Sequence, residues 1–323
     1  MSAIKARIAG KIFKTLMGAS PQDRILVVTD TEKFRIGQDF FEAAIEIGGD
    51  PLMAVIKVRG NDGEEPPASI GKLMELSDVI MIPTARSLTH TQARITATEA
   101  GARIGSMPRI TPEMIEEGGL TADYEQVAML TKQWMELLSE TNKVRIQTQK
   151  GTKISFSVES MKVGGDFGML NQPGSWGNLP AGEAYVVPVE GTADGVVLVD
   201  GSFSTIGKLV KPIRLTVKRG RIVRIEGGRQ AKQLSTYLEC LEDPMAYFLG
   251  EFGIGTNERS KFIGIPLEDE KILGTVHLGF GTNVSMGGTL KSKVHLDGII
   301  IQPTVWFDGD MVIENGKGKL EKK

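Results

Sequence analysis

Two glycine-rich segments of the sequence each begin with a residue that can bind a metal ion. Glu251-Phe-Gly-Ile-Gly-Thr-Asn257 and His277-Leu-Gly-Phe-Gly-Thr-Asn283 share one pattern: polar, apolar, Gly, apolar, Gly, Thr, Asn. Glycines at matched positions allow close approach of the backbone. The repetition therefore predicts that Glu251 and His277 occupy equivalent positions and meet at a shared metal centre. Two similar glycine turns with unrelated first residues are the structural alternative.

A second candidate pair is His295-Leu-Asp297, within an apolar stretch that is typical of a strand. Because side chains alternate along a strand, His295 and Asp297 are expected on the same face. An imidazole beside a carboxylate is a common ligand pair for Zn²⁺, Mn²⁺, Co²⁺ or Fe²⁺. A structural hydrogen bond between the two side chains is an equally good interpretation of this pair alone.

Glu183 is the fifth candidate, since it follows the stiff turn Asn178-Leu-Pro-Ala-Gly182 at the start of a predicted strand. With the two pairs it completes a set of three carboxylates and two imidazoles. Such a set suits one ion with spare coordination positions, or two ions bridged by a carboxylate. The pattern leaves both open.

The composition limits the alternatives to a site of this kind. The chain has 323 residues, one cysteine and three histidines, which excludes an internal disulfide, a Cys-rich zinc site and a cysteine-ligated iron–sulfur cluster. A net charge of −2 gives no footprint for nucleic acid or anionic membrane. No apolar run approaches the ~20 residues of a membrane span. With one cysteine and no export signal, the expected location is cytoplasmic.

The order of predicted elements indicates a two-domain α/β protein. In residues 1–141, short apolar strands alternate with helices, a pattern typical of a parallel sheet covered on both faces. The sequence Thr29-Asp-Thr-Glu32 stands where a glycine-rich dinucleotide fingerprint would follow the first strand, so nucleotide binding is not expected. Residues 142–323 are mainly short strands of period two with one helix near Arg229–Glu242. They predict a mainly antiparallel, β-rich, metal-binding second domain.

The ordered set of candidate ligands resembles that of the M29 metallo-aminopeptidases, the aminopeptidase T or thermophilic leucyl aminopeptidase group. Residues 87–94 and 100–108 of the first domain also resemble this group. The resemblance implies two divalent ions, Zn²⁺, Co²⁺ or Mn²⁺, and a homo-oligomer. It assigns the metal ligands to five residues: Glu183, Glu251, His277, His295 and Asp297. The peptidases also carry a ligand tyrosine shortly after the first ligand histidine, where this chain has Gly281-Thr-Asn-Val-Ser285.

A related branch with the same architecture, the 2,5-dihydroxypyridine dioxygenases, uses one Fe²⁺. This resemblance implies a triad of His277, His295 and Asp297, with open positions for an aromatic substrate and O₂. It also implies that His90 reaches the site from the first domain as an acid–base group. The alternative is that His90 is an ordinary polar residue near the start of a helix.

These observations predict a metal-dependent aminopeptidase that acts on small peptides through metal-activated water. Glu183 or Glu251 is then the general base or bridging ligand. The alternative activity is an Fe²⁺ dioxygenase for a dihydroxypyridine-like small molecule. A metal-stabilised domain that binds a partner without catalysis is a third possibility. No nucleic acid or membrane partner is expected.

Overall fold

The computed structural model describes residues 8–320. The chain divides into two compact units. The first comprises the described residues up to Ala128 together with Asp166–Ala181, and the second comprises Met129–Gly165 and the residues from Gly182 onward. The domain assignment from sequence, with its boundary near residue 141, stays a prediction.

The first unit is built on a five-stranded parallel sheet. Its elements are β1 (Ile25–Asp30), α1 (Phe34–Ile47), β2 (Leu52–Ile56), α2 (Ala68–Glu75), β3 (Val79–Thr84), α3 (Gln92–Glu99), β4 (Arg103–Pro108), α4 (Pro112–Glu116) and, later in the chain, β8 (Trp176–Asn178). The strand order is β2-β1-β3-β4-β8. Every residue of β1 and β3 is buried, as a parallel sheet covered on both faces requires. The predicted α/β architecture is confirmed.

The second unit consists mainly of two antiparallel sheets. It begins within helix α5 (Tyr124–Ser139), whose residues from Met129 onward belong to it. The elements that follow are β5 (Lys143–Gln147), β6 (Lys153–Ser157), β7 (Val163–Asp166), β9 (Glu183–Val186), β10 (Asp194–Val199), β11 (Ser202–Phe203), β12 (Gly207–Lys208), β13 (Ile213–Lys218), β14 (Arg221–Glu226), α6 (Arg229–Cys240), β15 (Leu249–Gly255), α7 (Pro266–Asp269), β16 (Val276–Gly281), β17 (His295–Ile300), β18 (Thr304–Phe307), β19 (Asp310–Glu314) and β20 (Lys317–Gly318). An eight-stranded sheet has the order β14-β13-β10-β6-β5-β18-β19-β20, and a seven-stranded sheet has the order β12-β11-β17-β16-β15-β9-β7. The predicted β-rich second half is confirmed.

The two sheets share one apolar core. On β15, Phe252 and Ile254 point into it, as do Leu278 and Phe280 on β16. Phe252 packs against Phe156 with ring centroids 5.5 Å apart, and the Phe307 ring centroid lies 6.4 Å from that of Phe252. Side chains alternate along a strand, so the residues between these apolar positions belong to the opposite face. The core therefore fixes which face of the seven-stranded sheet carries the polar residues.

No helix within residues 8–320 is long and apolar enough to cross a bilayer.

Replacing Phe156 by alanine tests the role of this core. Phe156 is 1 % exposed, so the Phe156→Ala substitution leaves a cavity and should lower the free energy of unfolding by ~3–5 kcal/mol. Val223, which is 51 % exposed, provides the control, because Val223→Ala should change it by less than about 0.5 kcal/mol. Denaturant titration measures both values. Equal effects of the two substitutions would contradict the assignment of the core.

Candidate metal centre

One face of the seven-stranded sheet carries all five candidate ligands from the sequence. Glu183 lies on β9, Glu251 on β15, His277 on β16, and His295 and Asp297 on β17. These strands are neighbours in the order β17-β16-β15-β9 and pair antiparallel. Because side chains alternate along each strand, all five residues lie on the face opposite the apolar core. The sheet thus brings together residues that are up to 114 positions apart, from 183 to 297.

Glycines stand between the ligands in the cross-strand register. Glu251 lies opposite Gly279, which in turn lies opposite Asp297, and His277 lies opposite Gly253. A β-carbon on Gly253 would collide with the His277 ring, and one on Gly279 would lie 2.7 Å from the His295 ring. Real β-carbons do not come so close. The glycines of each repeat therefore make room for the polar side chain of a neighbouring strand.

The repeated pattern in the sequence has its explanation in this pairing. β15 and β16 form adjacent antiparallel strands, and each repeat presents its first residue to the first glycine of the other. Glu251 and His277 are consequently close, with Glu251 Oε1 3.6 Å from His277 Nε2. The alternative of two unrelated glycine turns does not account for this reciprocal arrangement.

The five side chains form a continuous series of contacts. Glu183 Oε2 lies 3.3 Å from His277 Nε2, and the second oxygen of Glu251, Oε2, lies 2.8 Å from His295 Nε2. His295 Nε2 is also 3.0 Å from Asp297 Oδ1. Glu251 is therefore the central member, because each of its carboxylate oxygens faces a different imidazole. This is the position of a carboxylate that can bridge two cations.

The ligand atoms divide into two groups in which all atoms lie within 4.8 Å of one another. One group is Glu183, Glu251 and His277, and the other is Glu251, His295 and Asp297. Within residues 8–320, no such group unites His277 with His295 and Asp297. The triad that the dioxygenase resemblance implies is thus divided between the two groups, with Glu251 between its histidines.

The residues present fit a divalent cation. Glu183 Oε2 and Asp297 Oδ1 are buried, and within residues 8–320 the polar atoms found beside them are the imidazole Nε2 atoms of His277 and His295, whose lone pairs offer no donor when the rings are neutral. Buried carboxylate oxygens without a donor are costly unless a cation satisfies them. Together with two imidazole nitrogens, they make an oxygen-rich donor set that suits Zn²⁺, Mn²⁺, Fe²⁺ or Co²⁺. The geometry supports a divalent metal without selecting its identity.

The two imidazoles differ in how their second nitrogen is held. His295 Nδ1 lies 2.8 Å from the carbonyl oxygen of Thr282, which can only accept, so this nitrogen carries the proton. The Nε2 lone pair of His295 is then directed to the carboxylates, as in metal-binding histidines. His277 Nδ1 is buried without a hydrogen-bond partner in the described part of the chain. The His295 side chain is also 26 % exposed, whereas that of His277 is 1 % exposed.

The carboxylates and imidazoles shift one another's pKa in the metal-free state. Burial raises the pKa of the Glu251 carboxyl, but hydrogen bonds with His277 and His295 outweigh burial and hold this pKa well below its usual range. Burial lowers the pKa of His277, but Glu251 and Glu183 raise it to about 9. Against the effect of burial, Asp297 and Glu251 raise the pKa of His295 well above its usual value. Without a metal, protons on the imidazoles supply the positive charge.

Two residues beside the cluster were not found from the sequence. Lys271 has a fully buried side chain, and its Nζ lies 2.5 Å from Glu183 Oε1 and 2.7 Å from Glu270 Oε1. Burial raises the pKa of Glu270 to about 8, and the charge of Lys271 opposes that shift. In the sequence these residues belong to the run Glu268-Asp-Glu-Lys271, which is typical of a solvated surface turn. No pattern in the sequence distinguishes them from such a turn.

His90, the proposed acid–base residue, belongs to the first unit. It is exposed and directly precedes Thr91, which caps helix α3 by accepting a hydrogen bond from Arg94. Its ring stands edge-on to Trp176, with centroids 6.3 Å apart. Its participation in the metal centre stays a prediction.

An α/β unit and a β-rich unit that carries a carboxylate–imidazole cluster define a class of two-unit proteins with a candidate metal centre. Within this class, the family described as NicX, 2,5-dihydroxypyridine 5,6-dioxygenase, matches residues 16–319. The chain belongs to this family. The match includes all five candidate ligands, His90 and Lys271.

Individual relatives support both the family and the fold. A 2,5-dihydroxypyridine 5,6-dioxygenase of Pseudomonas putida is 23 % identical over 197 residues, which are 56 % of this chain and 55 % of that protein. The chain thus matches about half the length of this relative. The structure of 2,5-dihydroxypyridine dioxygenase from P. putida has a TM-score of 0.83 at 18 % identity, covering 98 % of this chain and 97 % of that one. Wild-type AmpT from Thermus thermophilus has a TM-score of 0.73 at 16 % identity, with 98 % and 99 % covered. At these identities the two structures establish the fold.

A methyl group on Gly279 should disturb the cluster without unfolding the sheet. In Gly279→Ala, the new β-carbon would lie 2.7 Å from the His295 ring and 2.9 Å from the Glu251 β-carbon, so both ligands must shift. We expect metal affinity to fall by at least ~10-fold, as for other changes that displace ligands. Competition with a chelator measures the affinity. Gly71→Ala is the control, since its β-carbon meets only Ala93 at an ordinary 3.5 Å. Unchanged affinity in Gly279→Ala would refute the assignment.

The metal-free protein should lose stability as the pH rises. An imidazole has a pKa of about 6.5 in the unfolded chain. Since His277 has a pKa of about 9 in the fold, its stabilising protonation is complete below the unfolded pKa and is lost as pH rises through the folded one. Denaturant titration of chelator-treated protein across this interval should show a falling free energy of unfolding. The free energy of unfolding should fall less steeply with pH in His277→Gln, because this variant lacks the titrating imidazole. A free energy that rises with pH would contradict the shift.

Proposed function

We propose that this chain is a metal-dependent dioxygenase that opens the ring of a dihydroxypyridine-like aromatic with Fe²⁺. The observation that carries the proposal is the family match over residues 16–319, which spans the complete carboxylate–imidazole cluster. A small aromatic molecule is accordingly the proposed substrate. The homo-oligomer and the cytoplasmic location stay predictions from the sequence.

The residues best placed to hold the iron are Glu251, His295 and Asp297. His295 Nε2 lies 2.8 Å from Glu251 Oε2 and 3.0 Å from Asp297 Oδ1, and the ligand atoms of the three residues all lie within 4.8 Å of one another. Three protein ligands on one side of an ion leave positions for substrate and O₂, as in 2-His-1-carboxylate sites, although here a glutamate takes the place of one histidine. When bound, Fe²⁺ would supply the site at which O₂ and the dihydroxylated ring combine.

The chain's own groups hold the proposed ligands in position. The Thr282 carbonyl keeps the proton of His295 on Nδ1, which leaves Nε2 for the ion. The main-chain N–H of Asp297 donates to Ser204 Oγ at 2.9 Å, and the Ser204 N–H donates to the Asp297 carbonyl, so this end of β17 is tied to its neighbour. The partly exposed His295 side chain marks the side from which a small molecule can enter. His90 is retained as the proposed acid–base residue.

A metallo-aminopeptidase is the second candidate function, and one observation favours it. The two oxygens of Glu251 face His277 and His295, which is the arrangement of a carboxylate between two ions. Two ions ~3.5–4 Å apart activate water and hold both oxygens of a hydrolytic transition state. In this case Glu183 would join Glu251 and His277 as a ligand of the second ion.

Parallel assays separate the two activities. Protein purified without oxygen and loaded with Fe²⁺ should consume one O₂ per 2,5-dihydroxypyridine and should leave aminoacyl chromogenic substrates intact. His295→Ala and Asp297→Ala should each reduce O₂ uptake by more than ~100-fold, because loss of a ligand costs at least as much as loss of its support. Lys150→Ala, which removes an exposed lysine paired with Asp200, is the control. Release of amino acids without O₂ uptake would refute the dioxygenase and support the peptidase.

A further inference from the structure

A cavity of about 410 Å³ lies in the second unit, at the turn between β13 and β14. None of the five candidate metal ligands lines it. Sites for small molecules typically have volumes of about 300–1,000 Å³. The lining side chains are three cations, two apolar groups and one carboxylate: Lys218, Arg219, Arg221, Val223, Phe248 and Glu190. A cationic cavity with an apolar wall suits an anion that has an apolar body.

The three cations belong to a strongly basic part of the chain. Residues 208–232 contain nine lysines and arginines and one acidic residue, Glu226, although the whole chain has a net charge of −2. Glu226 is already paired with Arg224, at 2.8 Å. Within the described residues, no ion pair joins the three cations of the cavity to a carboxylate. Their positive charge is therefore available to a ligand.

The turn brings like charges together against the preferences of a hairpin. Lys218 and Arg221 lie directly opposite each other in the register of β13 and β14, and like charges in such a position are destabilising. Between them, Arg219 has φ +48° and Gly220 has φ +78°. Two-residue turns with positive φ at both positions favour Asn-Gly or Asp-Gly, and the left-handed conformation is unfavourable for arginine. A bound anion would compensate for both effects.

Backbone contacts fix the position of this turn beside the cavity. The Gly220 N–H donates to the Ala193 carbonyl at 2.8 Å, and the Leu249 N–H donates to the Gly220 carbonyl at 2.8 Å. A β-carbon on Gly220 would lie 3.0 Å from the Gly191 nitrogen, so glycine permits the close approach of these two loops. The turn is thus tied both to the start of β15 and to the loop before β10.

The wall of the cavity combines apolar surface with a held guanidinium group. Phe248 forms a backbone bridge with Arg221, and the Arg221 Cζ lies 5.4 Å from the centroid of the Tyr247 ring. A guanidinium group within ~6 Å of an aromatic centroid makes a favourable contact. The carboxylate of the lining, Glu190, accepts a hydrogen bond from the Thr289 hydroxyl. The Arg221 charge is therefore placed next to the Phe248 ring.

We propose that this cavity binds a small aromatic anion, a molecule with a phosphate or carboxylate group on an apolar ring. Lys218, Arg219 and Arg221 hold the anionic group. Phe248 and Val223 contact the ring. The inference does not depend on the proposed function, because none of these residues belongs to the carboxylate–imidazole cluster.

Calorimetric titration of the metal-loaded protein with three probes tests the chemistry of the ligand. Phenyl phosphate and benzoate should bind saturably, and benzyl alcohol, which lacks the charge, should not. The comparison of the two anions distinguishes a phosphate from a carboxylate ligand, and three cations favour the more highly charged phenyl phosphate. Binding should weaken as salt is added. No saturable binding of either anion, or equal binding of benzyl alcohol, would overturn the proposal.

Arg219→Asn separates a role in binding from a role in the fold. Asparagine is favoured at this position of the turn, so the free energy of unfolding of the variant should not fall. Its dissociation constant for phenyl phosphate should nevertheless rise ~10-fold, because a hydrogen bond to a charged group is lost. Arg224→Asn is the matched control, since it removes a positive charge from β14 outside the cavity and should change the constant less than about 2-fold.

Two further variants establish where the anion binds. Lys218→Gln should weaken the binding of phenyl phosphate as Arg219→Asn does, whereas His295→Ala should leave it unchanged. Loss of binding in His295→Ala with unchanged binding in Arg219→Asn would place the anion at the metal centre and overturn the proposal. Equal weakening in Arg219→Asn and Arg224→Asn would also overturn it.

Discussion

The structure of the candidate metal centre depends on one buried carboxylate, Glu251, held between two imidazoles. Its oxygens face His277 at 3.6 Å and His295 at 2.8 Å, in a region where a lone carboxylate would be strongly destabilising. Positive charge must therefore be present, as protons on the imidazoles or as a bound cation. The glycines opposite the ligands serve this requirement because they leave room for the imidazole rings beside the carboxylates. The buried Lys271 serves it directly, because its ammonium group contacts Glu183 and Glu270.

This requirement explains why the sheet is so unusual in composition. β15 and β16 are buried along their whole length, with apolar side chains on the core face and glycines alternating with ligands on the other. Glycine is unfavourable within a strand unless another group needs the space. Here the space is taken by the His277 and His295 rings. The cost in strand stability is offset by the continuous core on the other face, where Phe252 contacts both Phe156 and Phe307.

Much of this arrangement could be predicted from the sequence because it is local or periodic. The alternation of strands and helices predicted the parallel sheet, and the repeat beginning at Glu251 and His277 predicted two equivalent positions. The His295-Leu-Asp297 spacing placed two ligands on one face of a strand. The position of Lys271 could not be predicted, since its burial depends on a close approach to Gly255 that no spacing reveals. The association of Asp166–Ala181 with the first unit could not be predicted either, because it arises from the pairing of β8 with β4, which is distant in the sequence.

The fold alone does not select the chemistry, since it is shared with both a dioxygenase and AmpT. The two proposed activities differ in the number of ions that the carboxylate–imidazole cluster would hold. Anomalous diffraction at the metal absorption edge, from crystals of metal-loaded protein, locates the ions directly. One peak within bonding distance of Glu251 Oε2, His295 Nε2 and Asp297 Oδ1 is expected. Two peaks ~3.5–4 Å apart, the second between Glu183 and His277, would contradict a one-ion centre.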